Sequence, residues 1–306
     1  MQNPSPENED SLRGFAFALA AYLLWGFLPL YMKALSNISA PEVIAHRVLW
    51  SLPIAGAVLL ALGRTGDVRI ALRSGRTLRM ASLTALLISV NWGIYVWAIV
   101  SGHALDAALG YYINPLFSVF LGAVFLKERL SPAQMAAIGL AAVAVIALTF
   151  EAGKLPVVAL ALTVSWGFYA YFRKTLPVGP NQGFFLEVLL LSPLALAYVI
   201  YLQATGQGHF AMGSARDTGL LVGCGLVTAG PLMIYANGAK LLRLSTIGIM
   251  QYIAPTMILL TAVLVFGEPF GRARMIAFPL IWLALIVYTV SLIRQARAAP
   301  GIRRAG

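Results

Sequence analysis

The string Gly110-Tyr-Tyr-Ile-Asn-Pro115 returns as Met250-Gln-Tyr-Ile-Ala-Pro255, 140 residues further along the chain. Both versions run on through an apolar stretch to a glutamate, Glu128 in the first and Glu268 in the second, in ungapped register from Tyr112 and Tyr252. Upstream, Ile94-Tyr95 matches Ile234-Tyr235 at a separation of 140, and Leu24-Trp25-Gly26-Phe27 matches Ser165-Trp166-Gly167-Phe168 at 141. Lys33 and Lys174, His46 and Glu187, and Ser51 and Ser192 are equivalent at that second separation. One repeat of about half the chain means two fused copies of a single unit, not a solenoid.

The kind of unit follows from hydropathy. With 60% hydrophobic and 11% charged residues and a mean hydropathy of +0.83, the 306-residue chain carries more apolar surface than a water-soluble globule could bury. Its apolar runs are long enough to cross a hydrocarbon core of about 30 Å as helices. They are predicted at 14–35, 39–63, 80–100, 106–126 and 132–150 in the first copy, and at 156–172, 183–203, 218–239, 246–266 and 275–292 in the second. Ser39-Ala-Pro-Glu42 and Ser131-Pro-Ala-Gln134 have the form of capping boxes with a proline in the first turn, and each is expected to open a helix. The expected fold is therefore an all-α integral membrane protein of ten transmembrane helices. Its organisation is a polar tail 1–13, copies at 14–150 and 156–292, and a basic tail 293–306. Because five is odd, the second copy enters from the opposite side, so the two are inverted repeats.

Charge sets the expected orientation. With both termini cytoplasmic, sixteen Lys and Arg residues fall inside and five outside, an inward bias that matches the rule for short loops of an inner (plasma) membrane protein. The segment Met1–Arg13 holds Glu7, Glu9 and Asp10 and lacks the basic region of a secretory signal. The arginine-rich loop 64–79 could bind anionic lipid or RNA, but topology and the negative leaflet surface suffice to explain it, and nucleic acid is not an expected partner. A single Cys224 excludes an intramolecular disulfide or a cysteine metal cluster. No His-Glu-x-x-His, Gly-x-x-x-x-Gly-Lys or Gly-x-Ser-x-Gly string is present, so neither metal hydrolysis nor nucleotide-driven pumping has a foothold, and no metal or cofactor is expected.

Polar residues inside apolar helices are costly and mark function. His46 and Arg47 lie about a turn and a half into the second predicted helix, and Glu187 about a turn into the seventh. Inversion puts Arg47 nearer the outer face and Glu187 nearer the cytoplasmic face, so the two need not pair; alternatively both snorkel to the interface. The predicted substrate-contacting set is Arg47, His46, Asn91, Trp92, Tyr95, Tyr112, Asn114, Tyr235, Asn237, Gln251 and Tyr252. Arg47 anchors an anionic group such as a carboxylate in this reading, and the aromatic faces offer apolar contact and a cation–π option for an amino group. The tyrosines also have a reading as interfacial belt anchors. Glu187 is the expected proton-coupling or gate residue, and Pro115 and Pro255 are expected to kink equivalent helices, the usual pointer to a transporter binding site. His103 and Asp106 in an outer loop could relay protons or form a solvated pair.

These strings resemble a known family. Trp25-Gly-Phe-Leu-Pro-Leu-Tyr-Met-Lys33, Glu42-Val-Ile-Ala-His-Arg-Val-Leu-Trp-Ser51, Gly110-Tyr-Tyr-Ile-Asn-Pro-Leu116, Leu242-Arg-Leu-Ser-Thr246 and Gln251-Tyr-Ile-Ala-Pro-Thr256 are similar to the EamA branch of the drug/metabolite transporter superfamily, in its RarD type, from about Gly14 to Arg294. Ala254 stands where the family typically has glycine. The resemblance implies ten helices in two inverted halves in the bacterial inner membrane. The expected function is a secondary transporter, an exporter of small metabolites, amino-acid-like compounds or drugs, working by alternating access. Its partners are a small-molecule substrate, the lipid bilayer and protons as coupling ion, and the chain is a monomer or a homodimer. A membrane binding or scaffold component without flux, or a lipid-modifying enzyme, stays open as the alternative.

Overall fold

The computed structural model describes residues 11–298 apart from 126, 128, 129, 240 and 243. The described residues form twelve α-helices and no strand. The first copy comprises α1 (Leu12–Ala34), α2 (Ala40–Ala61), α3 (Thr65–Leu72), α4 (Gly75–Val100), α5 (Ala104–Phe125) and α6 (Pro132–Ala152). The second comprises α7 (Val157–Thr175), α8 (Pro180–Ala204), α9 (Ala215–Ala239), α10 (Leu244–Met250), α11 (Ile253–Leu260) and α12 (Arg272–Ala298). Among the described residues eight of these are long and apolar enough to cross a membrane; α7 and the shorter apolar helix Ile253–Val265 stand where the sixth and ninth crossings are expected.

The outer surface confirms the solvent for which the chain is built. Leu194 and Leu226, in the middle of their helices, and Leu264, in the π-helical turn after α11, are 74%, 64% and 76% exposed, and Ile146, Ile200 and Ile286 are more than half exposed. Such a belt would be costly in water and costs nothing against acyl chains, while helices satisfy their own backbone groups there.

Helices pack across the copies in exchanged pairs. Helix α5 lies on α7 as α11 lies on α1; α4 lies on α7 as α9 lies on α1; α2 lies on α9 as α8 lies on α4. On the axis of that exchange, α2 meets α8 and α6 meets α12. The inversion is visible at α5. Glu268, in the α11–α12 connection, reaches the first residues of this helix, whereas the 126–131 connection leaves its last. Twenty-two residues separate those ends, or roughly 33 Å of helix at 1.5 Å per residue. Equivalent connections of the two copies therefore lie on opposite faces. The face that carries the start of α1 and the end of α12 is called the terminal face below, and the other the far face.

Three local expectations change. The basic loop folds as the short helix α3, whose Val68 and Ala71 pack on Leu59, Ala81, Leu176 and Leu186, and α4 starts five residues earlier than predicted, at Gly75 behind Ser74 as N-cap. Ser39 is the N-cap of α2 but its side chain accepts no capping hydrogen bond, and Glu42 does not close a capping box; its carboxylate is taken by His209 instead. Ser131 and Gln134 do form the reciprocal box, with Gln134 N–H donating to Ser131 at 3.3 Å and Ser131 N–H to the Gln134 side chain at 2.9 Å. The predicted helix 246–266 is broken: α10 ends at Met250, α11 starts at Ile253 and the last turn, Thr261–Val265, is π-helical. Pro255 stands three residues into the resumed helix and brings no N–H to donate there. Pro115 brings none to α5 either, yet that helix runs unbroken from Ala104 to Phe125.

Candidate functional site

Between the two copies lies a cavity of about 750 Å³, within the range of small-molecule sites. Its walls come from α1, α2, α4, α5 and their counterparts in the second copy; α6 and α12 stand outside it as struts. One wall is the aromatic cluster Tyr22, Trp25 and Tyr235, with ring centroids 5.6 to 5.7 Å apart. The facing wall is the chain Tyr95, Tyr111, Trp166 and Tyr169, with successive centroids 5.8, 6.4 and 5.6 Å apart. Equivalent positions of the copies line it together: Trp25 with Trp166, Tyr95 with Tyr235, Tyr111 with Gln251, Asn114 with Ala254 and Ser118 with Ile258. The cavity therefore sits on the axis that exchanges the copies, where inverted-repeat carriers place their sites.

Arg47 breaks that symmetry, because its equivalent is Val188, an apolar core residue. Its side chain is 3% exposed, with Nε donating to the Thr228 hydroxyl at 3.0 Å and the guanidinium carbon 4.7 Å from the centre of the Trp92 ring. Among the described residues Nη1 has no hydrogen-bond partner and Arg47 no ion-pair partner. Seven residues from the far-face end of α2, it lies towards the closed end of the cavity. Asn91 beside it donates to Leu162 O at 3.1 Å and Ser165 Oγ at 2.9 Å, stitching α4 to α7. The neutral polar groups of Tyr95 and Asn114 have an unpartnered hydroxyl and an unpartnered side-chain oxygen.

The lining reaches the terminal face at Arg173 and Lys174, in the last turn of α7, and at Pro180 and Asn181, in the first turn of α8, and this is the mouth. Glu187, 1% exposed, lies behind it with Oε1 3.3 Å from Arg173 Nε, and Tyr169 donates to Oε2 at 3.2 Å. Arg173 also donates to the Pro180 carbonyl.

The far face is closed by contacts between the copies. Glu42 takes His209 at both oxygens, from the backbone N–H at 2.7 Å and Nδ1 at 2.9 Å, and Asn37 donates to Asp217 at 3.1 Å. Glu268 accepts the Ala104 and Leu105 N–H groups at 2.7 and 2.9 Å, placing a carboxylate on the positive end of α5. Asp106 pairs with Arg274 at 3.0 Å, so it forms no relay with His103, whose ring stacks on Trp97.

Of the predicted site residues, Arg47, Asn91, Trp92, Tyr95, Asn114, Tyr235 and Gln251 line the cavity, and Pro255 does too. Tyr112 and Tyr252 do not. They stack on each other at 6.4 Å, and Tyr112 packs on Phe278 and Trp282 of α12 while its hydroxyl meets Thr256 at 2.7 Å. One residue earlier on each helix points into the cavity, because 111, 114 and 118 form one stripe at helical spacing and 112 lies about 100° away from it. His46 also faces away: Trp50 donates to its Nδ1 at 3.1 Å, and Phe210 covers its ring. The side chain of Asn237 lies outside the described residues. Residues that the sequence reading left out are Tyr22, Trp25, Tyr111, Trp166, Tyr169 and Arg173. The Trp25 and Trp166 match at 141 was the available signal for two of them.

A polar, aromatic cavity between two inverted five-crossing copies, open at one membrane face and shut at the other, belongs to an integral membrane transporter of the drug/metabolite class. The family model for EamA-like transporters matches residues 12–150, the first copy. Over 98% of its length the chain is 42% identical to a protein of Vibrio cholerae named as an uncharacterized transporter, covering 99% of it. It is 40% identical to the protein RarD of Streptomyces exfoliatus, with 95% of this chain and 92% of that one aligned. A solved crystal structure at 22% identity superposes with a TM-score of 0.57 over 92% of this chain and 98% of the other, which supports the fold. The chain belongs to the EamA-like transporter family.

Proposed function

We propose that the protein is a secondary active transporter that moves small metabolites or drugs across the inner membrane by alternating access, and that it works as an exporter. The single observation that carries this reading is the cavity on the exchange axis, reachable from the terminal face and shut at the far face by contacts of one copy with the other. Exchange symmetry supplies the second state: rocking one copy against the other breaks the far-face contacts and closes the mouth at Arg173. The basic residues Arg13, Arg64, Arg69, Arg73, Arg76 and Arg79 on the terminal face support a cytoplasmic assignment for it and for both termini. In that orientation the cavity is open to the cytoplasm, where an exporter loads. Arg47, Asn91, Trp92, Tyr95, Asn114, Tyr235 and Gln251 hold the substrate, and Glu187 with Arg173 forms the inner gate, with protons as coupling ion.

The experiment is substrate flux across sealed liposomes of purified protein, with and without a pH gradient. Carrier-dependent counterflow is expected. Saturable binding with no flux in either direction would leave the protein as a membrane binding component, the reading that a cavity alone also supports.

A further inference from the structure

The charges around the cavity do not balance, and the imbalance specifies its ligand. Among the described lining residues Arg47, Arg173 and Lys174 are cationic and none is acidic. Glu187, behind the wall, is paired with Arg173. Nothing comparable meets Arg47, which is almost completely buried with Nη1 unpartnered. A buried charge without a counter-ion is costly, and one hydrogen bond to a hydroxyl with one ring face offsets only part of that cost. The guanidinium is thus held by Thr228 through Nε and by Trp92 from one side, with its far nitrogen left as a donor. That geometry suits a planar oxyanion. Around it the walls are aromatic on both sides, Trp25, Tyr22 and Tyr235 facing Trp166, Tyr111 and Tyr95. Neutral acceptors such as the Asn114 oxygen are present, but an ammonium group would meet no carboxylate and would add to a positive field.

We infer, on the reading of the cavity as the transport site, that its ligand is a net-anionic aromatic carboxylate, held by Arg47 at the closed end with its ring between the two aromatic walls, and that the α-amino group of an amino acid weakens binding. An anion entering from the mouth follows the positive field to Arg47. A zwitterion gains the same contact but must strip water from an ammonium that finds no counter-charge.

A matched series tests this: 3-phenylpropanoate, phenylalanine, 2-phenylethylamine and lactate, titrated by calorimetry into the full-length protein in nanodiscs. The expected order is 3-phenylpropanoate at least tenfold tighter than phenylalanine, with the amine and lactate weaker still. Arg47→Gln should lose at least tenfold for 3-phenylpropanoate, while the amine should bind no more weakly than to the parent. Phenylalanine or the amine binding as tightly as 3-phenylpropanoate to the unsubstituted protein overturns the inference, and this comparison needs no variant to fold. Unchanged binding of 3-phenylpropanoate to a folded Arg47→Gln protein overturns it as well. Flux separates it from the transporter reading. Selective binding of the carboxylate without counterflow sinks transport and leaves the ligand class standing, whereas counterflow with no preference for the anion does the reverse.

Discussion

Arg47 and Glu187 occupy related depths in α2 and α8 but do different work, because their neighbours differ. Arg47 keeps a donor for something that arrives, whereas Glu187 already has Arg173 and Tyr169. Lysine at 47 would be a point charge that cannot lie over Trp92 and reach Thr228 while presenting a second nitrogen. Arg47→Lys should therefore weaken transport at limiting substrate by about tenfold, or about 1.4 kcal/mol, with expression and thermal stability close to the parent's. Counterflow rates at several substrate concentrations measure this, and a rise in KM larger than the fall in maximal rate is expected. Glu187→Gln keeps the side chain's size and its contact with Tyr169 but removes the charge that holds Arg173 and the group that can carry a proton. Exchange of substrate across liposomes should persist and accumulation driven by a pH gradient should vanish. Unaltered accumulation would leave Glu187 as the structural partner of Arg173 alone.

At the scale of elements, the far face is closed by helix ends, not by side chains deep in the bundle. Glu268 sits on the N-terminus of α5, and Glu42 holds the α8–α9 connection through His209. Each joins one copy to the other, so the proposed alternating-access cycle requires each to break when the cavity opens at the far face. Glu268→Gln trades a carboxylate on a helix N-terminus for a neutral acceptor, a change worth about 1 kcal/mol, or about fivefold in the balance of the two states. A cysteine at Ser118, inside the cavity, should then react faster with a membrane-impermeant thiol reagent from the far side in Glu268→Gln than in the parent. The broken α10–α11 segment belongs to this scale too. Gln251, Ala254 and Ile258 meet the cavity as Tyr111, Asn114 and Ser118 do, but the second copy reaches that register through a break and the first through a continuous helix.

For the whole molecule, inversion makes a prediction that no single element makes. In a Cys224→Ala background, cysteines placed at Lys127 and at Gly271 occupy equivalent connections of the two copies and should label from opposite sides of the membrane. Labelling from the same side would end the two-fold description. With Lys127 expected on the cytoplasmic side, the Ser118 cysteine should be reached from that side in the state described here, because the mouth lies there. The same symmetry explains why α6 and α12 contribute nothing to the cavity lining: they pack on each other outside it, on the exchange axis.

The all-helical membrane class and the inverted arrangement were legible in the sequence, since apolar length and a repeat of odd helix count leave a bilayer few other solutions. Arg47 was legible for the same reason: a charge in the middle of an apolar run has nowhere cheap to go. Which neighbour faces the cavity was not. Tyr111 and Tyr112 are adjacent in the chain and about 100° apart on the helix, and only the packing of α12 on one side of α5 decides that Tyr112 meets Phe278 and Trp282 while Tyr111 meets Trp166. His46 is turned away by the same kind of decision, made by Phe210 from a connection more than 160 residues distant. Glu42 looked like part of a cap and became a latch because His209 comes within 2.7 to 2.9 Å of it. Local pattern determines which residues enter the membrane and how many times the chain crosses it; the burial of one helix against another determines which side chains meet, because those contacts join residues that the sequence keeps far apart.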